Sequence, residues 1–173
     1  SRSNLLHAHS YEVLSVHPTP YFLEAECLTY IKKECKKGLN EERVEKEIIT
    51  DLELAAIHNY MVALLNEVGG EIEYIAYCPH APESLCKCRK PETGLLLEIE
   101  SHLGIDLKGK YFIGDKESDV LAGRNHGCVP LLIKTGGYGE KVVGTPNSPP
   151  AEHCFDSLLD AAKYITNNKS DNS

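Results

Sequence analysis

Residues 110–119 read KYFIGDKESD. Three large apolar residues, Tyr111 to Ile113, are followed by a glycine and then by Asp115. A short apolar run bounded by polar residues reads as a buried strand, here with a carboxylate at its carboxyl end. From Glu117 to Asn125 the pattern turns helical and Gly127 stops it, and VPLLIK at 129–134 is apolar and strand-like again. A strand, a helix and a second strand in close succession predict two parallel strands joined by a right-handed crossover.

The same alternation extends in both directions. Upstream, Thr50-Asp51-Leu52-Glu53 has the form of a capping box, and Leu54, Ile57, Met61, Leu64 and Leu65 follow at helical spacing until Gly69-Gly70. IEYIAY (72–77) reads as a strand ending at Cys78, and Leu95, Leu96, Ile99 and Leu103 share one face of a helix that Gly104 ends. Downstream lie the flexible TGGYGE, a Pro- and Gly-rich loop at 144–150, and a last helix at about 157–165. The fold class is α/β, a Rossmann-like parallel sheet flanked by helices. Ligands of such sheets sit beyond the carboxyl ends of the strands, where Cys78, Asp115 and Thr135 fall.

The first 49 residues are less regular. EVLSV (12–16) and YFL (21–23) are candidate strands, Leu28 to Lys37 a basic helix, and Glu41 to Ile48 a charged helical stretch. The expected organisation is a divergent N-terminal segment over 1–49, one domain over 50–166, and a disordered polar tail over 167–173.

Composition narrows the function. With 173 residues, 42% hydrophobic and 25% charged, the chain has ordinary globular proportions. A formal charge of −8 argues against a general nucleic-acid binder, which needs clustered Lys and Arg. No apolar run approaches a membrane span and no secretion signal is visible, so no membrane partner is expected. Seven cysteines are an odd number, and three of them crowd one stretch with a histidine. That pattern favours metal ligation in the reducing cytoplasm over a disulfide framework. A monomer is the working expectation.

The crowded stretch is CPHAPESLCKCRKP, 78–91. Cys78, His80, Cys86 and Cys88 offer three thiolates and an imidazole, a donor set suited to tetrahedral zinc. Four protein ligands leave no position for water, so the zinc would be structural. The alternatives are free thiols or a local disulfide, for which the Cys86-x-Cys88 spacing is awkward. Cys27, Cys35, Cys128 and Cys154 read as core or incidental thiols. Arg89 and Lys90 follow on the same loop, a guanidinium fork and a point charge that suit a phosphate ester. Two adjacent basic residues on a turn are also commonly just solvated. Asp115 suits magnesium, which favours one or two carboxylates with phosphate and water. Lys116 is placed to meet an anion, and Asp119 reads either as part of the site or as a helix-terminus partner.

Together, AIHNYM, YCPHAPESLCKCRKPETGLL, YFIGDKESDVLAGRNHGC and LLIKTGGYG resemble the haloacid-dehalogenase (HAD) superfamily of phosphatases. Within it they are most similar to the heptose 1,7-bisphosphate phosphatase branch, close to the histidinol-phosphate phosphatases. The resemblance covers roughly Thr50 to Gly139. It implies a HAD-type phosphatase with a structural zinc on Cys78, His80, Cys86 and Cys88 and a catalytic magnesium on Asp115. Arg89 would recognise substrate, Lys90 would stabilise the transferring phosphoryl group, and Lys116 would contact substrate. The implied reaction is magnesium-dependent hydrolysis of a small phosphorylated sugar, D-glycero-D-manno-heptose 1,7-bisphosphate at its 7-phosphate. In that family an aspartate attacks phosphorus and another, two residues on, protonates the leaving oxygen.

The chain departs from the family at that aspartate pair. No D-x-D occurs anywhere in it, and the second phosphate-binding motif, Thr-Asn-Gln-Ser-Gly at a strand end, is also missing. The nearest echo is FLEAEC (22–27), but glutamate is a methylene too long and Cys27-Leu28 stands where the family has Gly-Thr. Matches this short arise by chance. The alternative expectation is therefore a catalytically impaired relative, a zinc-containing module that binds phosphate without turning it over.

Overall fold

The computed structural model describes residues 5–7, 11–14, 48–67, 69–80, 85–135 and 137–170. They form two compact units, Ser1–Cys86 and Lys87–Ser173, and no helix among the described residues is long and apolar enough to cross a membrane.

In the first unit, strand β1 (Leu5–His7) pairs antiparallel with β3 (Ile48–Thr50), Leu5 opposite Thr50. Strand β2 (Tyr11–Leu14) pairs antiparallel with β4 (Tyr74–Tyr77), Tyr11 opposite Tyr77. Helix α1 (Asp51–Glu67) begins directly after β3, as the capping-box residues predict. Its buried face carries Leu54, Met61 and Leu65. Leu64, Ile72 and Ile75 pack around Met61 and Leu65, which seats the chain entering β4 against the helix.

Strand β4 forms within the predicted IEYIAY, but its partner is antiparallel and comes from EVLSV rather than from a parallel neighbour. Side-chain type reveals that a strand exists; the direction of its neighbour is settled by non-local pairing. Ile48, read as the end of a charged helix, is instead extended and paired in β3. YFL, FLEAEC and the basic stretch 28–37 lie outside the described residues.

The second unit has the predicted parallel sheet. Its strands are β5 (Tyr111–Gly114), β6 (Val129–Ile133) and β7 (Cys154–Phe155), in that order with β6 central. Parallel pairing sets Tyr111 beside Val129 and Leu132 beside Cys154. Five helical segments surround or precede it: α2 (Gly94–Leu103), α3 (Glu117–His126), the short α4 (Gly139–Val142), a 3₁₀ turn (Ala151–His153) and α5 (Leu158–Ser170). Helix α5 continues to Ser170, so residues 167–170 are helical and not the disordered tail expected from their polarity.

Strand β6 explains the unit's core. Leu131 and Ile133 face one side and pack with Ala161 and Ile165 of α5. Leu132 faces the other and packs with Val120 of α3 and Val142 of α4. Leu131 and Leu132 have no exposed surface at all, which is why VPLLI is apolar throughout instead of alternating. Each buried leucine contributes roughly 2 kcal/mol by area burial. Helices α2 and α3 both end at glycines in the left-handed region, Gly104 with φ 66° and Gly127 with φ 91°, where a Cβ would be strained.

Candidate functional site

Strand β5 ends at Gly114, and the next residues turn into α3. The turn is organised by Asp119, whose carboxylate is buried at 4% exposure. Its Oδ2 accepts the backbone N–H of Asp115 at 3.0 Å and of Lys116 at 2.9 Å. This is the backward half of a capping box, with a first-turn carboxylate on the N–H of the N-cap Lys116 and of the residue before it, at the positive end of the helix. Asp119 crowds Gly114 so closely that a Cβ added there would overlap the Asp119 side chain. Glycine at the strand tip is thus required by close approach.

The other carboxylate oxygen, Oδ1, meets Lys90 Nζ at 2.6 Å, with the two side chains 13% and 6% exposed. Lys90 comes from the tight turn 87–94, in which Glu92 N–H donates to Arg89 O and Gly94 N–H to Lys87 O. Asn125 of α3 donates to the Pro91 carbonyl at 3.2 Å, pinning the same turn. The two stretches that the sequence singled out, CRKP and GDKESD, therefore join through one buried ion pair. Asp115 is half-buried and, among the described residues, its carboxylate is engaged by no other side chain.

The cysteine loop gathers its four donors as expected. Ligand atoms of Cys78, His80, Cys86 and Cys88 all lie within 4.8 Å of one another. Cys78 Sγ is 3.6 Å from both His80 Nδ1 and Cys86 Sγ. Tetrahedral zinc with sulfur ligands at its usual bond length spaces them about 3.8 Å apart, so this donor set fits the ion. No disulfide joins Cys78, Cys86 and Cys88 in this arrangement.

Lys116 extends across the ring of Tyr138, its Nζ 4.7 Å from the ring centroid. Between them opens a groove of about 330 Å³ that reaches α4.

With the geometry in view, comparison with known proteins is informative. Residues 87–161 match the HAD-hydrolase-like family model. The D-glycero-beta-D-manno-heptose-1,7-bisphosphate 7-phosphatase of Bordetella bronchiseptica is 31% identical over 126 residues, covering 73% of this chain and 70% of that protein. The chain belongs to the HAD-like hydrolases. The same-named protein of Pseudomonas aeruginosa is 43% identical over 112 residues, 65% of this chain and 62% of that protein. The match thus spans a little over three fifths of that relative's length. Among solved structures, the B. bronchiseptica D,D-heptose 1.7-bisphosphate phosphatase complexed with magnesium and phosphate superposes with a TM-score of 0.61. It is 30% identical, over 69% of this chain and 66% of that one.

Within this HAD-like framework, the sequence reading located Lys90, Asp115 and Lys116 but missed how they are connected. Asp119, read either as part of the site or as a helix-terminus partner, is the residue that ties Lys90 to the main chain of Asp115 and Lys116. Tyr138 and α4 were also missed, because four helical residues after a glycine-rich loop carry no readable periodicity.

Proposed function

We propose that this chain is a magnesium-dependent phosphatase that hydrolyses a small sugar phosphate, with D-glycero-D-manno-heptose 1,7-bisphosphate, cleaved at the 7-phosphate, as substrate. One observation carries the reading: the buried Lys90–Asp119 pair, whose second oxygen holds the Asp115 amide. It sets a cation and an unengaged carboxylate on one rigid frame at the carboxyl end of β5, where a phosphoryl group and its metal are expected.

In this reading Asp115 holds magnesium, which supplies charge neutralisation at the phosphoryl oxygens when bound. Lys90 keeps its ammonium beside the same oxygens, its position fixed by Asp119 so that no reorganisation is needed as charge develops. Arg89 and Lys116 bind substrate, the guanidinium by a fork of two N–H groups and the ammonium as a point charge. Cys78, His80, Cys86 and Cys88 hold a structural zinc that fixes the loop leading into Arg89 and Lys90. The same reading has the protein work as a monomer in the reducing cytoplasm on a small-molecule partner, with neither nucleic acid nor membrane involved.

The absence of any D-x-D in the sequence favours a second reading, a phosphate-binding module without turnover. Phosphate release from the heptose bisphosphate with magnesium separates the two. Turnover that disappears in Asp115→Asn supports the enzyme; release no faster than buffer leaves the binding module. Zinc has its own test, because metal analysis should find about one ion per chain. Cys86→Ser should lose that ion and expose the 87–90 turn to protease.

A further inference from the structure

We propose that Asn147 is a positioning residue for anion binding: it ties up the carboxylate of Glu117, so that the neighbouring Lys116 meets a phosphoryl group without a competing negative charge. The inference rests on the phosphate-binding reading of Lys116 and extends it to a residue on a different loop.

Lys116 and Glu117 are consecutive at the start of α3, one as its N-cap and the other as its first helical residue. Both line the groove of about 330 Å³ that reaches α4. An acidic first turn suits the positive end of a helix, but here it adjoins an ammonium group that faces an anion. An untethered glutamate at this exposed position would pair with Lys116 or repel the ligand. A unit charge a few ångströms away, in largely solvated surroundings, changes affinity by about threefold to tenfold.

The loop after α4 removes that conflict. Asn147 Nδ2 donates to Glu117 Oε1 at 2.9 Å. An amide holds a carboxylate in this way without bringing a charge of its own. The backbone of Asn147 is fixed in turn by Arg124, whose Nη1 and Nη2 donate to the Asn147 and Ser148 carbonyls at 3.0 and 2.8 Å. Glu117 and Arg124 are two turns apart on one face of α3, so one short segment is fastened near both ends of the helix. Towards α4, the Thr145 N–H and Oγ1 donate to the Val142 carbonyl at 3.1 and 2.8 Å, and the Ser148 N–H donates to the Thr145 carbonyl at 3.0 Å. Asn147 is half-buried within this braced turn, and its amide is in place before any ligand arrives. Lys116, by contrast, rests over the uncharged Tyr138 ring, its Nζ 4.7 Å from the centroid, and keeps its charge for an anion.

The test is equilibrium binding of inorganic phosphate, with magnesium present, to the full chain and to Asn147→Ala, Glu117→Gln and the two combined. Phosphate is the ligand on either reading of the protein, with turnover or without it. Asn147→Ala keeps the carbonyl that Arg124 holds and removes only the amide side chain. It should weaken phosphate binding by about threefold to tenfold. Glu117→Gln should bind at least as tightly as the unaltered chain, and adding Asn147→Ala in that background should change nothing further. A merely structural brace would lose affinity in both backgrounds alike, and that result overturns the proposal, as does weaker binding in Glu117→Gln. An unaltered chain that binds no phosphate defeats the phosphate-site reading itself, and the proposal with it. Phosphate binding that is indifferent to Asn147→Ala defeats the proposal alone.

Discussion

Asp119 does three things with one carboxylate: it accepts two backbone amides, it neutralises Lys90, and it fills the space above Gly114. Asp119→Ala removes all three and leaves Lys90 in a mostly buried position without its counter-charge. Loss of one partner of such a pair costs about 3–5 kcal/mol, which urea denaturation should resolve. Asp119→Asn keeps an acceptor for the amides and should cost less, about 1–3 kcal/mol. If the two variants are equally destabilised, the amide contacts contribute nothing and loss of the ion pair carries the whole effect. Gly114→Ala forces a methyl into the Asp119 side chain, and overpacking of this kind typically costs about 1–3 kcal/mol. At this scale the sequence was legible where a residue type has one use. Asp115 could be read from its place after an apolar run, as could the four zinc-type donors from their spacing. The partner of Lys90 could not, because an ion pair between distant stretches of chain leaves no local pattern.

Helices α2 and α3 are joined by Glu100, whose Oε1 accepts the Leu107 amide at 2.8 Å and lies 3.0 Å from His126 Nε2. The Leu107 hydrogen bond, and after it His126, holds the Glu100 carboxyl below the usual carboxylate range. A depressed carboxyl stabilises the fold above its unfolded value and stops doing so as pH falls through the folded one. The stability difference between the unaltered chain and Glu100→Gln should therefore be present at neutral pH and shrink below about pH 4. A difference that stays constant into acid would locate the effect in packing. The loop 147–148 is strapped to α3 in a different way, by Arg124 donating to the Asn147 and Ser148 carbonyls at 3.0 and 2.8 Å. Arg124→Ala should release that loop, seen as faster amide exchange there, for about 1 kcal/mol of stability because the contacts are exposed. Elements long enough to show a period, such as α1, α2, α3 and β6, were legible in the sequence. The two-residue β7 and four-residue α4 were not, since neither completes a repeat and both are held by their neighbours.

Across the molecule the two units are built on different principles. In the second, β6 is bonded to strands on both edges and covered on both faces, by α5 on one side and by α3 and α4 on the other. In the first, each sheet has two strands among the described residues, and the β1–β3 ladder is three residues long. Two-stranded pairs are marginal without further support, whereas a central strand sealed by helices opens only when its whole core opens. This contrast explains the pattern of what could be read in advance. The parallel β5–β6 pair follows from consecutive local signals, the first strand being handed to the second by α3. The antiparallel pairs depend on partners far away in the chain, Tyr11 with Tyr77 and Leu5 with Thr50. Amide hydrogen exchange measures the difference directly. Leu131, Leu132 and Ile133 should exchange only through global unfolding, so that their protection keeps rising steeply as denaturant is removed. The amides of 5–7 and 48–50 should exchange through smaller openings that depend little on denaturant. Equal protection in both sets would mean that the chain unfolds as one cooperative body, and the division into two units would then have no energetic counterpart.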